Sequence, residues 1–136
     1  MEEKIIEKTK EAAVDGKLSC VNAHAIAAEL GLPPLEIGKF VNRATDLRFY
    51  RCQLGLFGYG PKPEGKHKIV QEAPRVPVEI EKALMAHTRD DHISCRAVWD
   101  IADQFEYPRL GMANIVEALD LKVTPCQLGC FYQVIR

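Results

Sequence analysis

The chain of 136 residues lacks the features that would mark it as a membrane or secreted protein. No apolar run approaches the roughly 20 residues that a transmembrane helix needs, and the Met1-Glu-Glu-Lys start has no signal-peptide pattern. Its composition, 47% hydrophobic and 27% charged, is typical of an ordinary soluble globular protein. We therefore expect a cytoplasmic protein.

Motifs of catalysis and of structural zinc are missing as well. The sequence has no Ser/His/Asp set, no P-loop, and no Gly-x-Gly-x-x-Gly or His-Glu-x-x-His pattern, so we do not expect an enzyme. It also has no Cys-x-x-Cys and no Cys/His cluster at zinc-finger spacing, so no metal site is predicted from motifs. The five cysteines are expected to be reduced thiols, as in other cytoplasmic proteins.

The chain has little net charge, −1 in total, but the charge is unevenly distributed. Residues 15–60 carry five basic and four acidic side chains, and residues 61–89 carry six and four. Residues 90–136 carry four basic and seven acidic side chains, a net charge of −3. If one half of the chain contacts phosphate groups, the charge favours the first half together with residues 61–89.

An internal repeat spans most of the chain. The segment Cys52-Gln-Leu-Gly-Leu-Phe returns as Cys126-Gln-Leu-Gly-Cys-Phe, and Leu18-Ser-Cys is matched by Ile93-Ser-Cys. This predicts two domains, a first repeat at 1–60 and a second at 77–136, joined by a linker at 61–76 rich in Pro, Gly and Lys. Each copy is about 58 residues, near the lower limit for an independent core, so we expect the copies to pack on each other or on a second chain.

Apolar spacing predicts three helices in each copy. The first covers about 2–14 and 78–87, and Ser19 and Ser94 are predicted N-caps of the second. A third helix is expected from Pro33 and Pro108 onward. The predicted buried faces, spaced as one side of a helix, are Ala23, Ile26, Ala27 and Leu30, then Ile37, Phe40, Val41 and Ala44, and in the second copy Val98, Ile101, Ala102 and Phe105, then Met112, Ile115, Val116 and Leu119.

Extended segments are predicted after each third helix. Residues 47–52 and 121–126 are rich in β-branched and aromatic residues, and the Gln-Leu-Gly that follows each is suited to a turn. A return strand at 56–59 and 130–135 would complete a β-hairpin. The fold class expected is therefore α+β, with each copy made of three helices and a short β-hairpin.

This order of elements resembles that of tandem winged helix-turn-helix proteins, over residues 2–60 and 77–136. The resemblance implies that the first short strand pairs antiparallel with the last. It also implies binding of duplex DNA, with the third helix in the major groove and the hairpin beside the backbone, and a role in transcription regulation.

Candidate DNA-binding residues follow from what the third helix would show to solvent. In the first copy these are Glu36, Lys39, Asn42 and Arg43. The predicted phosphate contacts of the same copy are Ser19, at the start of a helix, and Arg48 and Arg51, on the hairpin. In the second copy only Arg109 and Asn114 are suited to DNA. We therefore expect DNA contact mainly through the first repeat. The second would pack on the first, on a second chain in a homodimer, or on another protein.

The linker and the cysteines leave alternatives open. Lys62, Lys66, His67 and Lys68 are either part of a spacer or further phosphate contacts. The winged-helix arrangement would bring Cys20 toward Cys52, and Cys95 toward Cys126 and Cys130. Such thiols could bind a soft metal or an iron–sulfur cluster, or sense oxidation, in a protein-interaction or accessory module. The competing interpretation is core packing, since free cysteine is a small apolar side chain and Cys130 answers to Leu56.

Overall fold

The computed structural model describes residues 1–59 and 68–130, and it has the same order of elements in both repeats. The first repeat contains α1 (Glu2–Ala12), β1 (Lys17–Ser19), α2 (Cys20–Leu30), α3 (Pro34–Ala44) and β2 (Arg48–Tyr50). The second contains α4 (Val78–Ala86), β3 (His92–Ile93), α5 (Cys95–Gln104), α6 (Arg109–Ala118) and β4 (Lys122–Val123). The α+β class and the three helices of each repeat are confirmed.

The two serines cap their helices as predicted. The hydroxyl oxygen of Ser19 accepts a hydrogen bond from the backbone N–H of Asn22, and that of Ser94 accepts one from Ala97, each at 3.1 Å. Both serines have φ −72° and ψ 151°, the extended conformation that lets a side chain fold back over the first turn. The identical geometry places a cysteine, Cys20 or Cys95, at the first position of each capped helix.

The predicted antiparallel pairing of the first strand is wrong. β1 pairs with β2 in parallel, with Lys17 opposite Arg48 and Ser19 opposite Tyr50, and β3 pairs with β4 in the same way. The chain leaves β1, makes two helices and returns to the same edge running in the same direction. A parallel pair requires such a crossover connection, and α2 with α3, or α5 with α6, supplies it.

The predicted β-hairpin is not formed as two strands in the first repeat. After β2 the backbone enters the left-handed region at Arg51 (φ 51°), which ends the extended chain. The N–H of Arg51 donates to the carbonyl of Gly58 and that of Cys52 to Phe57, each at 3.2 Å. Residues 51–58 therefore form a closed loop around the Gln-Leu-Gly turn without a return strand. The corresponding return strand of the second repeat was predicted mostly at residues that lie outside the described part of the chain.

One hydrophobic core is shared by both repeats. The predicted buried faces are confirmed in large part, since Ala23, Ile37, Val98 and Met112 are fully buried. Ala44 is an exception, because α3 ends there and its side chain is exposed. Leu30, Phe105 and Leu119, the last positions of the other predicted faces, are only partly buried.

The two repeats pack through each other's Gln-Leu-Gly turns. Gly38 in α3 lies so close to Leu128 that an added Cβ would be 1.7 Å from the Leu128 carbonyl oxygen. On the other side, a Cβ at Gly55 would lie 2.7 Å from the side chain of Leu110 at the start of α6. Each turn thus rests on the third helix of the other repeat, and the expectation that the second copy packs on the first is met.

The described end of the linker also lies on both repeats. The N–H of Ile69 donates to the Gly55 carbonyl at 2.8 Å, and the N–H of Ala73 donates to the Asn114 carbonyl at 3.0 Å. Lys68 forms an ion pair with Glu117 at 3.9 Å. Of the predicted phosphate contacts in the linker, Lys62, Lys66 and His67 lie outside the described residues.

Candidate functional site

The exposed face of α3 presents the four predicted side chains, but with paired charges. Lys39 lies 3.9 Å from the carboxylate of Glu36, and Arg43 lies 3.3 Å from that of Glu2 in α1. Asn42 is exposed beside them. These contacts are on the surface, where an ion pair contributes little to stability and is readily exchanged for another anion. The face is accessible, but its positive charge is locally offset.

The two candidates in the second repeat already have partners within the chain. The guanidinium of Arg109 lies over the Trp99 ring at 3.6 Å and 3.8 Å from the Asp103 carboxylate. The side-chain oxygen of Asn114 accepts a hydrogen bond at 3.0 Å from the N–H of Gln71 in the linker. Both side chains hold the second repeat and the linker in place.

A basic cleft lies on the strand pair of the first repeat. We give this name to the open groove of about 680 Å³ lined by Lys17, Arg48, Phe49, Tyr50, Arg51, Gly58 and Tyr59. Parallel pairing sets Lys17 beside Arg48, and both Lys17 and Arg51 lie within 6 Å of the Tyr50 ring, at 5.9 and 5.2 Å. All three basic side chains are exposed, and none forms an ion pair with a carboxylate of residues 1–59 or 68–130.

The sequence identified only part of this cleft. Arg48 and Arg51 were predicted as phosphate contacts, whereas Lys17, Tyr50 and Tyr59 were missed. An antiparallel hairpin gives no reason to place Lys17 next to Arg48, and only the parallel register does so. Ser19, two residues after Lys17, is buried, and its hydroxyl oxygen is engaged in capping α2.

The equivalent strand pair of the second repeat is much less basic. His92 stands opposite Lys122 there, and Pro125 stands in the sequence position of Arg51. Lys122 lies 3.6 Å from the Asp120 carboxylate. The concentration of unpaired positive charge is therefore a property of the first repeat, as the sequence predicted.

A second group of functional interest consists of four cysteines, Cys20, Cys52, Cys95 and Cys126, which we call the cysteine quartet. Each repeat contributes two of them at equivalent positions. Burial is the main cause of the raised pKa of Cys20, and the nearby thiols of Cys52, Cys95 and Cys126 add to it. The sequence predicted the pairs within each repeat, but not an effect of one pair on the other.

Nearby amide groups oppose the effect of burial on the pKa of these thiols. The N–H groups of residues 54, 55 and 56 approach the sulfur of Cys52, and the N–H of Gln53 approaches that of Cys20. In the second repeat the backbone N–H of Gln127 approaches Cys95, as does its side-chain amide, whose nitrogen is 3.5 Å from the sulfur.

Burial is the main cause of a raised pKa in three of these thiols. It raises the pKa of Cys20 and of Cys95 to about 12, and it raises the pKa of Cys52 as well. Cys126 differs because the Cys130 thiol donates a hydrogen bond to it, which lowers the pKa of Cys126 to about 6 and raises that of Cys130. Cys130 is exposed, and its counterpart Leu56 is buried.

Within residues 1–59 and 68–130, no three His, Cys, Asp or Glu side chains form a group that could hold a metal ion. No helix in the same part of the chain is long and apolar enough to cross a membrane. No protein-family model matches the chain, and neither a curated protein nor a solved structure is detectably similar to it.

Proposed function

We propose that the chain binds duplex DNA through its first repeat and acts as a transcription regulator. The observation that supports this most directly is the basic cleft, where three exposed cations line one groove, two of them beside the Tyr50 ring, without a carboxylate partner in the described part of the chain. Phosphate oxygens are the ligands that such a set of ammonium and guanidinium groups takes up.

The cleft and the exposed face of α3 have different roles in this proposal. Lys17, Arg48 and Arg51 contact phosphates and supply affinity, because their charge is not offset within the described residues. Lys39, Asn42 and Arg43 are suited to base edges, and they first exchange their partners Glu36 and Glu2 for DNA. The second repeat supports the first through the contact of Leu128 with Gly38.

The test is binding of a labelled duplex to the full chain at several salt concentrations. Three phosphate contacts predict that log K falls with log salt at a slope of about −3, because each contact releases condensed counterions. Replacing Lys17, Arg48 or Arg51 by Ala is expected to reduce that slope by about 1 each. Lys82→Ala, on the exposed side of α4, is the matched control and leaves the slope unchanged.

Two outcomes would contradict parts of the proposal. A chain that shows no salt-dependent DNA binding even at low salt does not have this function. If Lys39→Ala and Arg43→Ala weaken binding but the three cleft variants do not, the phosphate contacts are made by α3 and not by the cleft.

A further inference from the structure

The two repeats contact each other in the reciprocal way of a symmetric dimer. The first Gln-Leu-Gly turn packs against α6, and the second packs against α3. His24 and Trp99, at equivalent positions, lie against each other with ring centroids 4.2 Å apart. In a head-to-tail arrangement only one of the two turns would reach a third helix, so the repeats are related by an approximate two-fold axis. The structure therefore contains two equivalent junctions, each made of one turn and the third helix of the other repeat.

The junction of the first turn with α6 is covered by the linker, and we call it the covered junction. The carbonyl of Gly55 accepts hydrogen bonds from the N–H groups of residues 69 and 70, at 2.8 and 3.3 Å. On α6, Asn114 accepts two more at 3.0 Å, through its side-chain oxygen from Gln71 and through its carbonyl from Ala73. Residues 68–73 form neither helix nor strand, so the junction holds a non-helical segment largely by its backbone.

The junction of the second turn with α3 has no such cover, and we call it the open junction. In the described part of the chain, no segment is hydrogen-bonded to α3 in the way that the linker is bonded to α6. The three positions of α6 in question have half-buried side chains, namely Asn114, Glu117 and Ala118. The corresponding side chains of α3 are all exposed, namely Lys39, Asn42 and Arg43.

The two junctions differ in the chemistry that they offer to an occupant. On α6 the side chains act as acceptors, because Asn114 takes an N–H group and the Glu117 carboxylate lies 3.9 Å from the ammonium group of Lys68. On α3 the corresponding face presents two cations, Lys39 and Arg43, which can only donate. Both are engaged only in exposed ion pairs, which another carboxylate can replace at little cost. An occupant of the open junction must therefore bring negatively charged acceptors.

We propose that the open junction docks a non-helical, acidic segment of a partner protein, in the manner in which residues 68–73 occupy the covered junction. Its carboxylates pair with Lys39 and Arg43. An apolar residue beside them lies against the second turn, as Ile69 lies against the first, where an added Cβ on Gly55 would be 2.9 Å from the Ile69 side chain. Peptide recognition of this kind takes affinity from the main chain and specificity from the side chains.

Such docking goes beyond the proposed DNA binding and would regulate it. Lys39 and Arg43 are the side chains that we assign to base edges, so a docked segment and DNA exclude each other from α3. The docking itself does not depend on the assignment to DNA, because it is inferred from the linker on the equivalent face.

The first experiment measures binding of a fluorescein-labelled peptide to the full chain by fluorescence anisotropy. The probe has the sequence of residues 68–76 with Lys68→Glu and Arg75→Glu, and the unchanged sequence is the control peptide. The acidic peptide is expected to bind at least about fivefold more tightly, since each exposed ion pair changes an equilibrium by up to about that factor. Equal binding of the two peptides, or no binding of the acidic one, would overturn the proposal.

Charge reversal locates the site. In the double variant Lys39→Glu/Arg43→Glu the preference is expected to reverse, so that the unchanged peptide binds more tightly than the acidic one. The matched control Lys82→Glu/Arg89→Glu, also at exposed positions, keeps the original preference. An acidic-peptide preference that survives the reversal on α3 would show that the site is elsewhere. Binding that is lost in Arg48→Ala instead would place the peptide in the basic cleft and sink the proposal.

The remaining alternative occupant is a second copy of this chain. Sedimentation of the full chain without peptide is expected to show a monomer. Self-association that Lys39→Glu/Arg43→Glu abolishes would assign the open junction to a second copy and overturn the assignment to a partner protein. None of these measurements contains DNA, so their failure leaves the proposed DNA binding untouched. A chain that binds the acidic peptide but no duplex would contradict the proposed function alone.

Discussion

The imidazole of His24 and the indole of Trp99, which occupy equivalent positions in the two repeats, lie in contact with ring centroids 4.2 Å apart and planes inclined by 41°. Arg109 covers the indole at 3.6 Å. The Nε2 of His24 and the Nε1 of Trp99 are buried without a hydrogen-bond partner among the described residues. The contact joins α2 to α5, so the environment of His24 depends on how the two repeats pack together.

The stability of the chain is expected to fall as the pH decreases from about 6.5 to about 4. Burial, and secondarily the positive charge of Arg109, lowers the pKa of His24 from its ordinary value of 6.5 to about 4. The unfolded chain therefore takes up a proton in this range that the folded chain does not, and unfolding becomes more favourable. We expect a loss of about 1–2 kcal/mol from this residue, allowing for its partial exposure to water.

Urea unfolding at pH 7 and at pH 4.5 measures this effect. His24→Gln is expected to remove this part of the difference between the two pH values, whereas His87→Gln, at an exposed position, is expected to retain it. An equal pH dependence in the wild type and in His24→Gln would show that His24 is accessible to protons in the folded chain.

Gly38→Ala is expected to destabilise the protein strongly. The new methyl group would lie 1.7 Å from the carbonyl oxygen of Leu128. No side-chain rotation can relieve this clash, because the backbone fixes the positions of both atoms. The cost of overpacking at such a site is about 2–4 kcal/mol, measured as a lower urea midpoint of unfolding. Asn42→Ala, on the exposed side of the same helix, changes stability by less than about 0.5 kcal/mol. A Gly38→Ala protein as stable as the wild type would mean that the turn of the second repeat does not rest on α3.

Asp91→Gly is expected to stabilise the second repeat modestly. Asp15 and Gly16 form a tight turn before β1 with φ of 51° and 75°, and Asp90 and Asp91 form the same turn before β3 with φ of 51° and 64°. Glycine adopts the left-handed region without steric cost, whereas aspartate adopts it only with some steric strain. The expected gain is about 0.5 kcal/mol in the free energy of unfolding, part of the relief being offset by the greater entropy of glycine in the unfolded chain.

The reciprocal substitution tests the same turn in the first repeat. Gly16→Ala has open space for its methyl group, so any loss of stability comes from the backbone conformation alone. A loss of about 1 kcal/mol is expected. The melting temperatures of both variants test this, with a rise expected for Asp91→Gly and a fall for Gly16→Ala. A lower melting temperature in Asp91→Gly would contradict the prediction and show that the Asp91 side chain stabilises the turn.

Local order was predictable because it depends on neighbours along the chain. The duplication, the three helices of each copy, the capping serines and most of the buried faces follow from spacing and residue type. Ser19 caps α2 because its hydroxyl lies three residues before the N–H of Asn22, a relationship that is fixed by sequence distance alone.

The direction of strand pairing and the meeting of the two repeats were decided only by the tertiary structure. β1 lies parallel to β2 because α2 and α3 fold together and return the chain to the same edge, and no local signal distinguishes this from a hairpin. That register is what places Lys17 beside Arg48. Likewise, the sequence shows the Gln-Leu-Gly turn twice, but only the tertiary structure shows that each turn packs on the other repeat, at Gly38 and Leu110. Contacts between residues more than 50 positions apart, such as Gly55 with Leu110, are set by the fit of whole surfaces, which the order of amino acids does not display.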